Sequence, residues 1–134
     1  MIDHVAIPVR DVTLSKNFYS QGLAPLGYQI IFEELSPETN ELVEVGLGVS
    51  SGFGFLVLMK TDSTVTPVHL AFRSAKRSLV DAFYQAAMAA GGRDNGEPAL
   101  CLEYHAHYYG GFVLDPDGHN IEAVCHDPDP NFQR

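Results

Sequence analysis

The chain has 134 residues, 46% of them hydrophobic, and 17 acidic side chains against 8 basic ones leave a formal net charge of −9. That length predicts one compact unit with enough core to fold without a disulfide or a structural metal. The charge argues against a nucleic-acid or anionic-membrane surface, since both need clustered Lys and Arg, and no apolar run approaches the ~20 residues that span a bilayer. Cys101 and Cys125 lack Cys-x-x-Cys spacing and suit two free thiols, with a single disulfide left open. No charged-then-apolar leader follows Met1, so a cytoplasmic protein is expected.

Residues 2–8 alternate and are β-rich, which predicts a strand. Asp11 can cap a helix whose buried stripe includes Leu14 and Phe18, and Gly22 and Pro25 end it. Three further strands are expected at residues 28–35, 42–48 and 53–59. The polar stretch 61–67, which ends on Pro67, reads as the link between halves. A strand over residues 68–73 follows. Ser74 is then an N-cap for an Ala-rich helix through Leu79, Phe83 and Ala90, closed by Gly91 and Gly92. A short strand near 93–97 precedes strands at 109–114 and 120–125, and the Pro-rich tail 127–134 is expected to be loose.

The chain repeats itself weakly at an offset of 65, the interval from His4 to His69. His4-Val5-Ala6-Ile7 falls on His69-Leu70-Ala71-Phe72, Leu14 on Leu79, Phe18-Tyr19 on Phe83-Tyr84, and Gly27 on Gly92. Without a gap, the same offset sets residues 55–58 against 120–123. The organisation is therefore one domain over 2–126, with module one at 2–60, a link at 61–66 and module two at 67–126.

Strand parity then selects a set of side chains. If Val5, Ile7 and Val9 face a helix, His4 faces the other way, and the repeat puts His69 in the equivalent place. In the last strand Ile121, Ala123 and Cys125 take the helix side, and Glu122 shares the face of the histidines. If the halves pair about a pseudo-twofold axis, His4, His69 and Glu122 can converge, while the fourth corner is Val57. Two imidazoles and a carboxylate hold a borderline divalent ion with open positions for a substrate oxygen; Zn, Fe(II), Mn, Ni and Co all tolerate them. Taken singly, each histidine reads more simply as a hydrogen-bonded strand residue, and Glu122 as a solvated one.

These residues resemble the vicinal oxygen chelate superfamily, which includes glyoxalase I, bleomycin-resistance proteins, fosfomycin-modifying enzymes and extradiol dioxygenases. The resemblance runs from about Ile2 to His126. It is carried by Asp3-His4-Val5-Ala6 leading to Phe18-Tyr19, by Val68-His69-Leu70-Ala71-Phe72, and by residues 112–122, FVLDPDGHNIE. It implies an α+β fold of two βαβββ modules whose curled mixed sheets enclose a metal cleft, with His4, His69 and Glu122 as ligands. Val57 departs from the four-ligand pattern of glyoxalase I, where that corner is a metal-binding Glu. A phosphonate substrate is disfavoured because no Lys/Arg cluster is visible.

The segment Glu103-Tyr104-His105-Ala106-His107-Tyr108-Tyr109 is rich in groups that donate, accept or stack. Reaching over the cleft, it would offer His105 as general acid/base, Tyr104 and Tyr109 as catalytic hydrogen-bonding groups, and Tyr108 with Phe55 and Val57 as substrate contacts. Simple packing of the aromatic residues is the competing reading. Asp115-Pro116-Asp117-Gly118 reads as a hairpin turn and not a carboxylate pair. Gly110 and Gly111 suggest bends or close packing, and His119 and His126 carry no functional signal. The function expected is a divalent-metal-dependent, lyase- or isomerase-like enzyme on a small oxygen-bearing molecule, working as a homodimer. The alternatives are a metal-free drug-binding protein of the bleomycin-resistance type, whose apolar cleft would also use Phe53, and an Fe(II) extradiol-type dioxygenase.

Overall fold

The computed structural model describes residues 1–52, 54–129 and 131. Phe53 and most of the end of the expected tail, Pro130 and residues 132–134, lie outside the described residues. In chain order the elements are β1 (His4–Val9), α1 (Val12–Gly22), a 3-10 turn (Ala24–Leu26), β2 (Tyr28–Leu35), β3 (Leu42–Val49), β4 (Phe55–Lys60), β5 (His69–Arg73), α2 (Arg77–Ala89), β6 (Arg93–Leu100), β7 (Tyr109–Leu114) and β8 (Asn120–Cys125). The fold is α+β, two βαβββ modules with one four-stranded mixed sheet each. The sheet orders are β1-β4-β3-β2 and β5-β8-β7-β6.

The repeat extends to strand register. β1 runs parallel to β4 with His4 opposite Phe55, and β5 runs parallel to β8 with His69 opposite Asn120. Each pairing is thus displaced by the same 65 residues. One buried cluster draws on both modules, including Ile7, Phe18 and Leu58 from the first and Val80, Phe83 and Ile121 from the second. The helices meet closely at Gly22, where a Cβ would lie 3.2 Å from Ala87 Cβ.

Three local expectations are corrected. Asp11 does cap α1, its carboxylate accepting from Leu14 N–H at 3.0 Å, but Leu14 is 53% exposed. The buried stripe is Val12, Ser15, Phe18, Tyr19 and Gly22, and α1 packs both on β3 and β4 of its own module and on α2 of the other. Ser74 does not cap α2. Its hydroxyl accepts from Lys76 N–H at 3.3 Å, and the helix begins only at Arg77. β6 extends to Leu100, since register shifts around Gly96 absorb Pro98 without ending the pairing with β7.

The turn after β7 joins the modules. Gly118 adopts φ 88° and donates to Asp115 O at 3.0 Å, closing the hairpin. Asp115 Oδ1 accepts from the N–H groups of Asp117 (2.9 Å) and His119 (2.8 Å), and its Oδ2 accepts from Tyr19 O–H of α1 at 2.5 Å. His119 is fully buried. Its Nδ1 accepts from Val68 N–H at 3.0 Å and its Nε2–H donates to Pro8 O at 2.8 Å, so this ring bonds the end of β1 to the start of module two. Among the described residues no helix is long and apolar enough to cross a membrane.

Candidate functional site

Glu122 sits in the middle of β8 and is 1% exposed. A buried carboxylate needs donors on both oxygens, and this one has them. His69 Nε2–H donates to Oε1 at 2.9 Å from β5, the strand parallel to β8. Tyr108 O–H donates to Oε2 from the end of the 101–108 segment. Gly110 makes the arrangement possible: a Cβ there would stand 3.2 Å from both Glu122 Oε2 and Tyr108 Cε1. Burial, then the hydrogen bond and charge of Glu122, push the Tyr108 phenol far above its ordinary pKa. Tyr108 is therefore a hydrogen-bond donor near neutral pH and not a base.

His4 lies in a second group. Its ring stacks on Phe55 at 4.9 Å, its Nδ1 pairs with Asp3 at 2.6 Å, and Phe32 meets Phe55 edge-on at 6.2 Å. Val57 occupies the same face of β4 two residues on and is buried. A pocket of about 240 Å³ beside this group is lined by Asp3, His4, Tyr28, Phe55, Phe72 and Arg73. The structure thus brings together His69, Glu122 and Tyr108, and separately His4 and Phe55 with Val57 nearby. It does not bring His4 to His69 and Glu122. Among the described residues, no group of three or more His, Cys, Asp or Glu side chains is placed to hold a metal ion. A single chain holds two of the three expected ligands and does not close the set.

The expected catalytic residues fall elsewhere. Tyr109 is the first residue of β7, and alternation sends it to the helix side, where it is buried and donates to Asp81 Oδ1 at 2.6 Å. Burial and that bond push its phenol upward in pKa. His105 Nε2 lies 2.9 Å from His126 Nδ1, not at Glu122. Tyr104 is exposed and rests against Tyr108, ring centroids 4.7 Å apart. Cys101 and Cys125 are free, and burial, with the charges of Glu103 and Glu122, raises the Cys101 thiol.

Sequence reasoning read Gly110 only as a bend or close-packing position and gave His126 no role. Gly110 was legible in part: it is the β7 position flanking Phe112, which the register sets opposite Glu122, so any side chain would point at the carboxylate. His126 carries no spacing signal, because its partner is fixed by the path of a loop.

The chain belongs to the Glyoxalase/Bleomycin resistance protein/Dioxygenase superfamily, whose family model matches residues 1–123. Comparison with curated proteins gives no match. Among solved structures the chain is similar to a glyoxalase/bleomycin resistance protein from Albidiferax ferrireducens, with 24% identity and TM-score 0.75, covering 95% of this chain and 99% of that one. It is also similar to a glyoxalase/bleomycin resistance protein/dioxygenase family enzyme from Burkholderia phytofirmans, with 20% identity, TM-score 0.68, and 93% and 98% coverage. A third is TnmS3, an antibiotic binding protein from a Streptomyces species, with 18% identity, TM-score 0.66, and 95% and 96% coverage.

Proposed function

We propose that the chain is a divalent-metal-dependent enzyme acting on a small oxygen-bearing molecule, and that its centre is shared by two copies. His69 and Glu122 of one copy would be joined by His4 of the other. The observation that carries this reading is the His69–Glu122 pair, an imidazole nitrogen and a carboxylate oxygen 2.9 Å apart. Burying a carboxylate against an imidazole and a phenol costs stability, and a face that only binds drugs has no need of it. His4 and His69 both keep about half of their side-chain surface in solvent, 51% and 53%. Exposed Phe32 and Met59 lie on the side of the first sheet away from α1, which supports a second copy there.

A bound divalent ion (Zn, Fe, Mn, Ni or Co) would supply polarisation of a substrate oxygen. The chain's own contribution is Tyr108, whose retained proton can be offered to a substrate oxygen once Glu122 turns to other partners. The aromatic group of His4, Phe55 and Phe32 favours a second reading, a metal-free binding protein of the drug-sequestering type. Metal analysis and calorimetric titration with Zn²⁺, Mn²⁺ and Co²⁺ on untagged protein separate the two. Saturable binding lost in each of His4→Ala, His69→Ala and Glu122→Gln supports the enzyme. No binding by the wild-type chain under any reconstitution overturns it and leaves the binding protein.

A further inference from the structure

Three histidines outside this centre, His105, His107 and His126, form a hydrogen-bond chain with a fixed direction. The backbone N–H of His107 donates to His105 Nδ1 at 3.1 Å. A ring nitrogen that accepts carries no proton, so neutral His105 holds its proton on Nε2. That N–H lies 2.9 Å from His126 Nδ1, which accepts it, and the proton of neutral His126 is then on its own Nε2. The two rings lie nearly coplanar, tilted by 25° with centroids 5.2 Å apart, the edge-to-edge placement of an in-plane N–H···N bond. Tyr108 meets both of them edge-on, at 5.5 Å from His105 and 5.2 Å from His126. Its N–H donates to His105 O at 3.3 Å and its carbonyl accepts from Cys101 N–H at 2.8 Å. The far end of Tyr108 is the hydroxyl on Glu122. Strand β8 and the residue just after it thus supply both supports of this side chain: Glu122 receives its hydroxyl, and His126 anchors the segment that carries it.

We propose that His126 is a positioning residue. By accepting from His105 at Nδ1, it fixes the 101–108 segment so that the Tyr108 hydroxyl stays on Glu122. The inference rests on Glu122 as the centre of the site and adds a residue outside its ligand set. Packing alone would tolerate any ring or amide of similar size; a directed chain requires an acceptor where Nδ1 stands. Asn places its Oδ1 near that point, whereas Gln reaches to the position of Nε2.

Amide hydrogen exchange by NMR on the full chain tests it. His126→Ala is expected to speed exchange at Cys101 and Tyr108 by about tenfold or more, His126→Asn to stay within about threefold of wild type, and His126→Gln to behave like the alanine variant. The Val113 amide in the core of β7 stays protected in all of them, which separates local release from loss of the fold. Two-bond 1H–15N spectra show His105 as the Nε2–H tautomer in the wild type and in His126→Asn, and a mixture in His126→Ala. Unchanged exchange at Cys101 and Tyr108 in His126→Ala overturns the proposal, as does equal behaviour of the Asn and Gln variants. Neither readout involves a metal ion, so failure of the wild type to bind one overturns the functional reading alone.

Discussion

Glu122 owes its place to three neighbours of different kinds: an imidazole, a phenol and a glycine that leaves room for both the carboxylate and the phenol. Tyr108→Phe keeps the ring packing and removes only the hydroxyl, leaving Oε2 buried without that donor. A hydrogen bond to a charged group is worth about 1.5–3 kcal/mol, and that is the loss expected in urea unfolding of the metal-free protein. A loss below about 0.5 kcal/mol would mean that the phenol is not held on the carboxylate in solution. Parity alone could place His69 and Glu122 on one face, because strand alternation has a strict period of two. Tyr108 and Tyr109 show where sequence reasoning ran out. They are adjacent and chemically alike, and only the point at which β7 begins decides that one meets Glu122 and the other Asp81.

The turn between β7 and β8 acts as a joint as well as a reversal of the chain. Burial lifts the Asp115 carboxyl above the ordinary carboxylate range, and the hydrogen bonds from Tyr19, His119 and Asp117 only partly offset it. An acid with a raised folded pKa binds its proton more tightly when folded. It therefore favours the fold at low pH, and that contribution is lost as pH rises through the folded pKa. The stability of the wild type relative to Asp115→Asn should thus decline as pH rises above about 4, read from urea midpoints at each pH. A difference independent of pH would show that Asp115 titrates as an ordinary carboxyl. The turn itself was legible from its Pro, Asp and Gly. Its second role was not, because Tyr19 is 96 residues away and His119 bonds a carbonyl 111 residues away. The exposure of Leu14 is also set by packing: helical spacing offers two adjoining stripes, and the one that meets β3, β4 and α2 is buried.

At the scale of the molecule, the two modules and their order follow from the 65-residue offset, and the register of the parallel pairs, β1 with β4 and β5 with β8, reproduces it. The offset says nothing of which His4 meets which His69. A mixing experiment decides. In a twofold dimer with shared sites, a His4→Ala chain paired with a Glu122→Gln chain has one site carrying both defects and one carrying neither. Mixing the two inactive variants should therefore restore up to about half of the metal binding of the mixed dimers, measured by titration after exchange of subunits. If each chain completes its own site, the mixture recovers nothing.

His119 carries a further consequence. The residue one offset earlier is Gly54, which has no side chain with which to reach the other half, and residues 50–52 of the first-half turn are exposed. Two segments that share an origin in the repeat have thus divided their labour, one becoming a keystone and the other an open rim. Sequence drift in the rim is felt only locally. Drift in the keystone is felt by Pro8, Tyr19 and Val68 at once, so the hairpin that delivers Glu122 to its place also sets how the two halves stand against each other.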